Sequence, residues 1–568
     1  MLKVVSIEQV RAIEADADAN GYSYADMMDT AGRAVADRAL ALVSHLEEPK
    51  VTIIVGNGNN GGDGLVAGLY LAQDNPAADV RFYLLADRDD EFTQTARQAG
   101  LFVALSEDDV DKRVLRNMVA SADLLMDALF GIGVRIPIRD EAQKILRNAN
   151  REINARRARE TPSSVDLTNP VSKLSGAPIR VLAIDCPSGL DCDTGEVDKN
   201  AIPSDETITF IGVKQGQLTV SGGTVCGTLR VADIGISQKL EAMTTISNHV
   251  ADGDWVKEEL PSRKVDGHKG TYGRVLVVAG SVNYIGAPAL SAEVAYRSGA
   301  GLVTVATPNT VILPLAGSLR EVTWMMLAHD MGVIAEKAAS TVYEDIGKMN
   351  ALLVGPGLGT EATTGDFLKA LLMPTQDATR KPKKRSLGFG MVDEADDSVE
   401  DDEKASLPPL VIDADGLNLL AKMDKWWSLL PEDTILTPHP GEMSRLCDIE
   451  TSEVQSNRWA LAQEKAETWG AIVVLKGAYT VVASPDGRSA VIPFAVDALA
   501  TAGTGDILAG MITSLRAQGM NAYEAAVAGA YVHGLAGKLA GDGTSSRNVI
   551  AGDVLAKLGE AWQMLEMS

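Results

Sequence analysis

Residues 51–55 form a β-branched run that leads into Gly56, Asn57, Gly58, Asn59, Asn60, Gly61, Gly62, Asp63 and Gly64, and then into helix-compatible sequence over 65–72. A strand, a glycine-rich loop and a helix in that order make half of a parallel βα unit, so this part of the chain must build a sheet with helices on its faces. Further strands are predicted over 80–85, 124–127, 181–184 and 207–210, after a helical pair over 7–43 broken at Asn20 and Gly21. The pattern loosens around 237–251, and a fresh strand–helix series follows over 275–278, 290–298, 302–306, 351–354, 410–412, 434–436 and around Lys476 and Gly477. At about 100–200 residues per domain, a chain of 568 residues needs more than one core. The predicted architecture is α/β, with one domain over 1–246 and a second over 247–568. Two polar, charge-dense stretches, 148–177 and 376–406, read as mobile inserts.

A net charge of -25 opposes any broad nucleic-acid interface, so phosphate binding must be local, through helix N-termini, a few lysines and bound cations. No apolar stretch reaches membrane-spanning length without charges. Cys186, Cys192, Cys226 and Cys447 show no CxxC pairing, and a reduced cytoplasmic protein is expected.

The chemistry is concentrated in short motifs at predicted strand ends. The 56–64 loop contains a literal GxGxxG with Asp87 beyond the next strand, which alone would read as an NAD-dependent dehydrogenase. Asn59, Asn60 and Asp63 exceed what that role needs and could hold polar ligand groups or a cation. Asp127-Ala-Leu-Phe-Gly-Ile-Gly and Asp185-Cys-Pro-Ser-Gly-Leu-Asp end two further strands and can converge on the same crevice. In the second half, Ala502, Gly503, Thr504, Gly505 and Asp506 precede a helical run. Small residues admit a ligand close to the backbone, a helix N-terminus receives phosphate oxygens, and Asp506 can take a hydroxyl proton. Gly355-Pro-Gly-Leu-Gly, Thr437-Pro-His-Pro-Gly-Glu and Lys476-Gly-Ala also follow strands, and Lys476 can reach a nucleotide phosphate.

The GNGNNGGDG, DALFGIG and IDCPSGLD motifs together resemble the NAD(P)HX epimerase family over residues 4–236. The resemblance implies a Rossmann-like three-layer α/β/α domain in which Asn59, Asn60, Gly61, Gly62 and Asp63, with Gly131, Ile132, Gly133, Val134, Arg135, Ile136 and Pro137, hold the hydrated dinucleotide. It further implies potassium on Asn60, Asp127 and Ser188, and substrate contact at Asp185, to which an acid/base role is assigned. GSxxYxGAP, SGAGLVTV, GPGLG, TPHPGE, KGA and AGTGD in that order resemble the ribokinase-like NAD(P)HX dehydratases over residues 255–565. That resemblance implies hydrate contacts from Ala287, Gly357, Gly359 and His439, nucleotide contacts from Lys476, Gly477, Ala478, Tyr479, Thr480, Gly503, Thr504 and Gly505, and Asp506 as the base facing the substrate hydroxyl. The implied partners are NAD(P)HX and ADP, or else ATP, with Mg2+ and K+, in a homo-oligomer that binds neither nucleic acid nor membrane. A small-molecule kinase, a dehydrogenase and a non-catalytic binding protein are the competing readings.

Overall fold

The computed structural model describes residues 1–159, 179–374 and 406–567. They form two compact units, Leu2–Asn248 and His249–Ser568 with Met1. Each contains a buried core.

The first unit is built on a seven-stranded, wholly parallel sheet in the order Phe102–Leu105, Asp79–Leu84, Lys50–Val55, Leu124–Ala128, Arg180–Ile184, Glu206–Phe210, Thr228–Ala232. From Lys50–Val55 the chain first builds outward in one direction, then returns to lay Leu124–Ala128 on the other side. The sheet direction therefore switches between those two strands, which is where open α/β sheets leave a crevice at their C-terminal ends. Gly56 closes this point: a Cβ there would lie 1.8 Å from the Leu129 carbonyl oxygen, so only glycine lets the two strand ends approach. Ser6 and Ser23 each cap a helix, Ile7–Ala19 and Tyr24–Val43, through reciprocal capping boxes, and Gly21 at φ 92° makes the predicted break.

The second unit repeats this plan. Its parallel strands run Thr323–Met326, Leu302–Thr307, Arg274–Val278, Ala351–Val354, Leu410–Ile412, Ile435–Leu436, Ile472–Leu475, continued by antiparallel Val481–Ala483 and Ser489–Val491. Here the switch falls between Arg274–Val278 and Ala351–Val354, where Gly280 donates its N–H to the Pro356 carbonyl at 2.8 Å. The helix Thr504–Ala517 is buried along nearly its whole length against Gly286–Arg297. Gly510 permits this, since a Cβ there would lie 2.4 Å from the Ser291 carbonyl oxygen.

Several expectations are corrected. Residues 59–64 are the opening turns of the helix Asn59–Asp74, not a loop, with Gly58 as its N-cap. Residues 148–159 complete the helix Asp140–Arg159, where Ala149 and Ile153 enter the core; the rest of the 148–177 insert lies outside the described residues. The 376–406 insert likewise lies outside them, apart from its last residue. The sulfurs of Cys186 and Cys192 are joined as a disulfide, whereas free thiols were expected. No helix among the described residues is long and apolar enough to cross a membrane.

Helices Tyr24–Val43 and Asn59–Asp74 meet at Gly32, where a Cβ would lie 2.4 Å from Val66 Cγ1. Overpacking of this kind costs about 1–3 kcal/mol. Gly32→Val is therefore expected to lower the urea midpoint of the chain, and an unchanged midpoint would show that the helices do not approach so closely.

Candidate functional site

In the first unit the switch point opens into a cavity of about 930 Å³. Of the residues expected to hold the dinucleotide, Asn59, Asn60, Asp63, Gly131, Ile132, Gly133, Val134 and Asp185 line it; Gly61, Gly62, Arg135, Ile136 and Pro137 lie outside its lining. Asn60 is buried, and both atoms of its amide lack a hydrogen-bond partner, an arrangement that calls for a ligand. Beside it, Gly131 is close enough that a Cβ would touch Asn60 Cγ at 3.2 Å. Asp127 is fully buried, which pushes its carboxyl up, and it accepts from Ser188 Oγ at 2.6 Å and from the Ser188 N–H at 2.8 Å. Ser188 Oγ in turn accepts from the Phe130 N–H at 2.9 Å, so the second and third motifs are tied together.

Asp185 ends the strand Arg180–Ile184 in a left-handed conformation, φ 61°. It forms an ion pair with Lys214, a residue that no motif flagged. Lys214 is 1% exposed, and its ammonium also donates to Thr209 Oγ1 at 2.7 Å and to the Phe210 carbonyl at 3.0 Å. Gln217 Nε2 holds the Asp185 carbonyl at 2.8 Å. Burial, with the nearby charges of Asp185 and Glu14, pushes the Asp63 carboxyl well above its ordinary range. Glu14 is raised as well, by burial first and then by Asp185. The cavity thus combines a carboxyl whose proton affinity is raised by burial, Asp63, with one paired to a buried ammonium, Asp185.

In the second unit Gly503, at φ 91°, caps the helix Thr504–Ala517 and places Asp506 in its first turn. The Asp506 carboxyl is pushed up to about 7 by burial and then by Asp413, with Lys476 opposing and Asp415 and Glu442 adding to the rise. Lys476 Nζ donates to Asp413 Oδ1 at 2.6 Å and lies 3.8 Å from Glu442. A Cβ on Gly505 would sit 3.4 Å from Lys476 Nζ, so the predicted nucleotide turn and the predicted lysine do meet. His439 caps the helix Pro440–Cys447: its Nδ1 accepts from the Gly441 N–H at 2.9 Å, and Glu442 Oε2 accepts from its own N–H at 2.7 Å. Burial and then Lys476 hold the imidazole below its usual range. It is therefore a neutral ring at pH 7.

Gly357, at φ 63°, lies against Tyr284 and Ala287, where a Cβ would meet the Ala287 Cβ at 3.1 Å. The Gly359 N–H donates to Asp415 Oδ2 at 2.9 Å. Gly477, at φ 145°, donates to Thr480 Oγ1 at 3.3 Å, and Tyr479, at φ 53°, turns the chain between them. Ala478 falls within that turn, and Thr504 Oγ1 is tied back to the Leu499 carbonyl at 2.9 Å. Sequence reasoning missed Asp413 and Asp415, although the pair stands in Asp413-Ala-Asp-Gly directly after the strand Leu410–Ile412, the same placement that flagged the other motifs.

These two crevices define an enzyme that joins a Rossmann-like unit to a ribokinase-like one. A family profile described as NAD(P)H-hydrate dehydratase matches residues 275–377 and 386–558, and one described as YjeF-related protein N-terminus matches 24–216. The chain is 34% identical over 540 residues to the bifunctional NAD(P)H-hydrate repair enzyme Nnr of Moorella thermoacetica, covering 93% of this chain and 90% of that one. It is 29% identical to the Escherichia coli enzyme of the same name, covering 89% and 84% respectively. A solved ADP/ATP-dependent NAD(P)H-hydrate dehydratase from Bacillus subtilis, co-crystallized with ATP/Mg2+, aligns at 28% identity with a TM-score of 0.43, over 56% of this chain and 98% of that one. The chain belongs to the family of bifunctional NAD(P)H-hydrate repair enzymes.

Lys214→Met would leave the largely buried Asp185 without its cation. A broken buried pair costs about 3–5 kcal/mol, whereas loss of an exposed pair costs less than about 1 kcal/mol. Chemical denaturation should therefore separate Lys214→Met from Lys144→Met, whose ion pair with Glu141 is exposed; equal effects would contradict the burial of the Lys214–Asp185 pair.

Proposed function

We propose that the first unit interconverts the R and S forms of NAD(P)HX, and that the second dehydrates the S form to NAD(P)H at the expense of ADP, giving AMP and phosphate. The observation that carries this reading is the setting of Asp506: a carboxyl with its proton affinity near neutrality, at a helix N-terminus, beside an ammonium and a glycine turn. A base poised near the working pH is what deprotonation of an alcohol requires.

Hydroxide is a poor leaving group, and transfer of a phosphoryl group to the C6 oxygen makes it a good one. Asp506 takes the hydroxyl proton as the C6 oxygen bonds to the terminal phosphorus of ADP, and the phosphoanhydride bond to AMP breaks. The C6–O bond then breaks with both electrons leaving on phosphate, N1 supplies density to C6, and loss of a C5 proton forms the C5=C6 double bond. Backbone N–H groups of the Gly503–Gly505 turn and the Lys476 ammonium stabilise charge on the transferring group, contacts of a kind whose loss costs about 3–4 kcal/mol. Neutral His439, with Ala287, Gly357 and Gly359, orients the hydrate; Gly477, Ala478, Tyr479, Thr480 and Thr504 shape the nucleotide side.

Magnesium bound with the nucleotide would neutralise phosphate charge, while Lys476 and the Gly503–Gly505 backbone hold the transferring group. Potassium fits the first unit through the unpartnered Asn60 Oδ1, Asp127 and Ser188, all hard oxygen donors. There Asp185 handles the proton at the C6 oxygen as water leaves and returns on either face, beside Asp63, whose proton affinity is raised by burial in the same cavity.

The test is recovery of NADH absorbance from mixed R and S NADHX with ADP, with ATP and with neither. ADP is expected to restore it; no recovery with either nucleotide would refute the dehydratase reading. Asp506→Asn should abolish recovery while R–S interconversion, followed by chromatography, continues; equal loss of both would refute separate sites. Because Asp506 works as the base only without its proton, dehydratase kcat should fall as pH drops through about 7. A flat profile across that range would contradict its role.

A further inference from the structure

Asp413 touches the GPGLG, TPHPGE and KGA motifs of the second crevice and approaches AGTGD. It follows the strand Leu410–Ile412 and is 1% exposed. Its backbone is locked against the GPGLG turn: its N–H donates to the Val354 carbonyl at 3.1 Å, and a Cβ on Gly355 would lie 1.8 Å from its carbonyl oxygen. Oδ1 accepts from Lys476 Nζ at 2.6 Å and from Thr437 Oγ1 at 2.7 Å, joining the lysine strand to the TPHPGE strand. Oδ2 is buried, has no hydrogen-bond partner, and lies 3.9 Å from the position of a Cβ on Gly505, next to Asp506.

We infer that Asp413 is a positioning residue for dehydration: Oδ1 holds the Lys476 ammonium in place at the Gly503–Asp506 turn, and Oδ2 keeps a negative charge directed at Asp506 so that its carboxylate remains a competent base. The inference rests on the reading of Asp506 given above. The physical basis is competition for one cation. Lys476 faces Asp413, Glu442 and Asp506. Were Asp413 absent, Glu442 and Asp506 would be its remaining partners, and an ammonium paired directly with Asp506 would weaken that base. Burial pulls the Lys476 ammonium down, but Asp413 and Glu442 outweigh it and the net displacement is upward, so the cation persists in the crevice. The charged groups facing Asp506 are Asp413, Lys476, Asp415 and Glu442.

Asp413 raises the proton affinity of Asp506 and Lys476 lowers it. In full-length Asp413→Asn, the raising charge is lost and Lys476 is freed toward Asp506, so both changes act downward. The acid limb of dehydratase kcat against pH should move down by about one unit, and kcat at its plateau should fall about tenfold or more. Lys476→Met leaves Asp413 uncompensated, and its limb should move up; this second variant decides the matter if Asp413→Asn does not fold. Epimerase activity of the same chains should be unchanged. A wild-type limb near 7 that stays in place in both variants would overturn the inference while leaving Asp506 as the base. A wild type with no limb there would overturn the reading of Asp506, and this inference with it.

Discussion

The buried contact between the Asp413–Lys476 ion pair and the first turn of the helix Thr504–Ala517 is the constraint on which the second unit depends. An isolated carboxylate in so dry a place would simply take up a proton, and an isolated ammonium would tend to lose one. Together they hold Asp506 near the middle of its titration. The glycines at 355 and 505 meet the same demand: backbone passes within a few ångströms of Asp413 and Lys476 without a side chain to block substrate or nucleotide, whereas Gly357 and Gly503 take positive φ and pack against Tyr284 and Ala287 and against Leu290 and Ala551. The parallel sheet contributes by switching direction beside the strand Ala351–Val354, whose end carries Gly355 and Gly357.

The first unit answers a different chemical demand with related parts. There too, a buried lysine pairs with an aspartate that follows a strand, Lys214 with Asp185, and burial raises the proton affinity of a second acid, Asp63. Epimerisation needs proton transfer in both directions at one oxygen and no phosphoryl donor, and two carboxyl groups of unlike setting share its cavity. Both sites stand at a switch point, so the same sheet logic serves two reactions.

Much of this was legible in the sequence because the relevant signals are local. Short apolar runs ending in glycine or aspartate marked Lys50–Val55, Leu124–Ala128, Arg180–Ile184 and Ala351–Val354 and their loops, and the helix break at Asn20 and Gly21 was plain. Residues 59–64 misled because asparagine and glycine favour turns, whereas here the helix start is buried at the sheet switch and tertiary packing overrides propensity. The edge strands Phe102–Leu105 and Thr228–Ala232 are short and half-exposed, so neither carries a buried β-branched run. Lys214 and Asp413 were missed for another reason: each acts through a partner remote in sequence, Asp185 and Lys476, and only the fold brings the pairs together. The Asn148–Arg159 segment looked like a loop because its arginines hide the sparse apolar positions, Ala149 and Ile153, that bury it.

On the mechanism proposed for Asp506, the C6 hydroxyl leaves as phosphate and not as water. The direct measurement is to label the C6 hydroxyl oxygen of S-NADHX with a heavy isotope, run the dehydration with unlabelled ADP, and examine both products by mass spectrometry. The label should appear in the released inorganic phosphate; label recovered in water, with unlabelled phosphate, would contradict that mechanism.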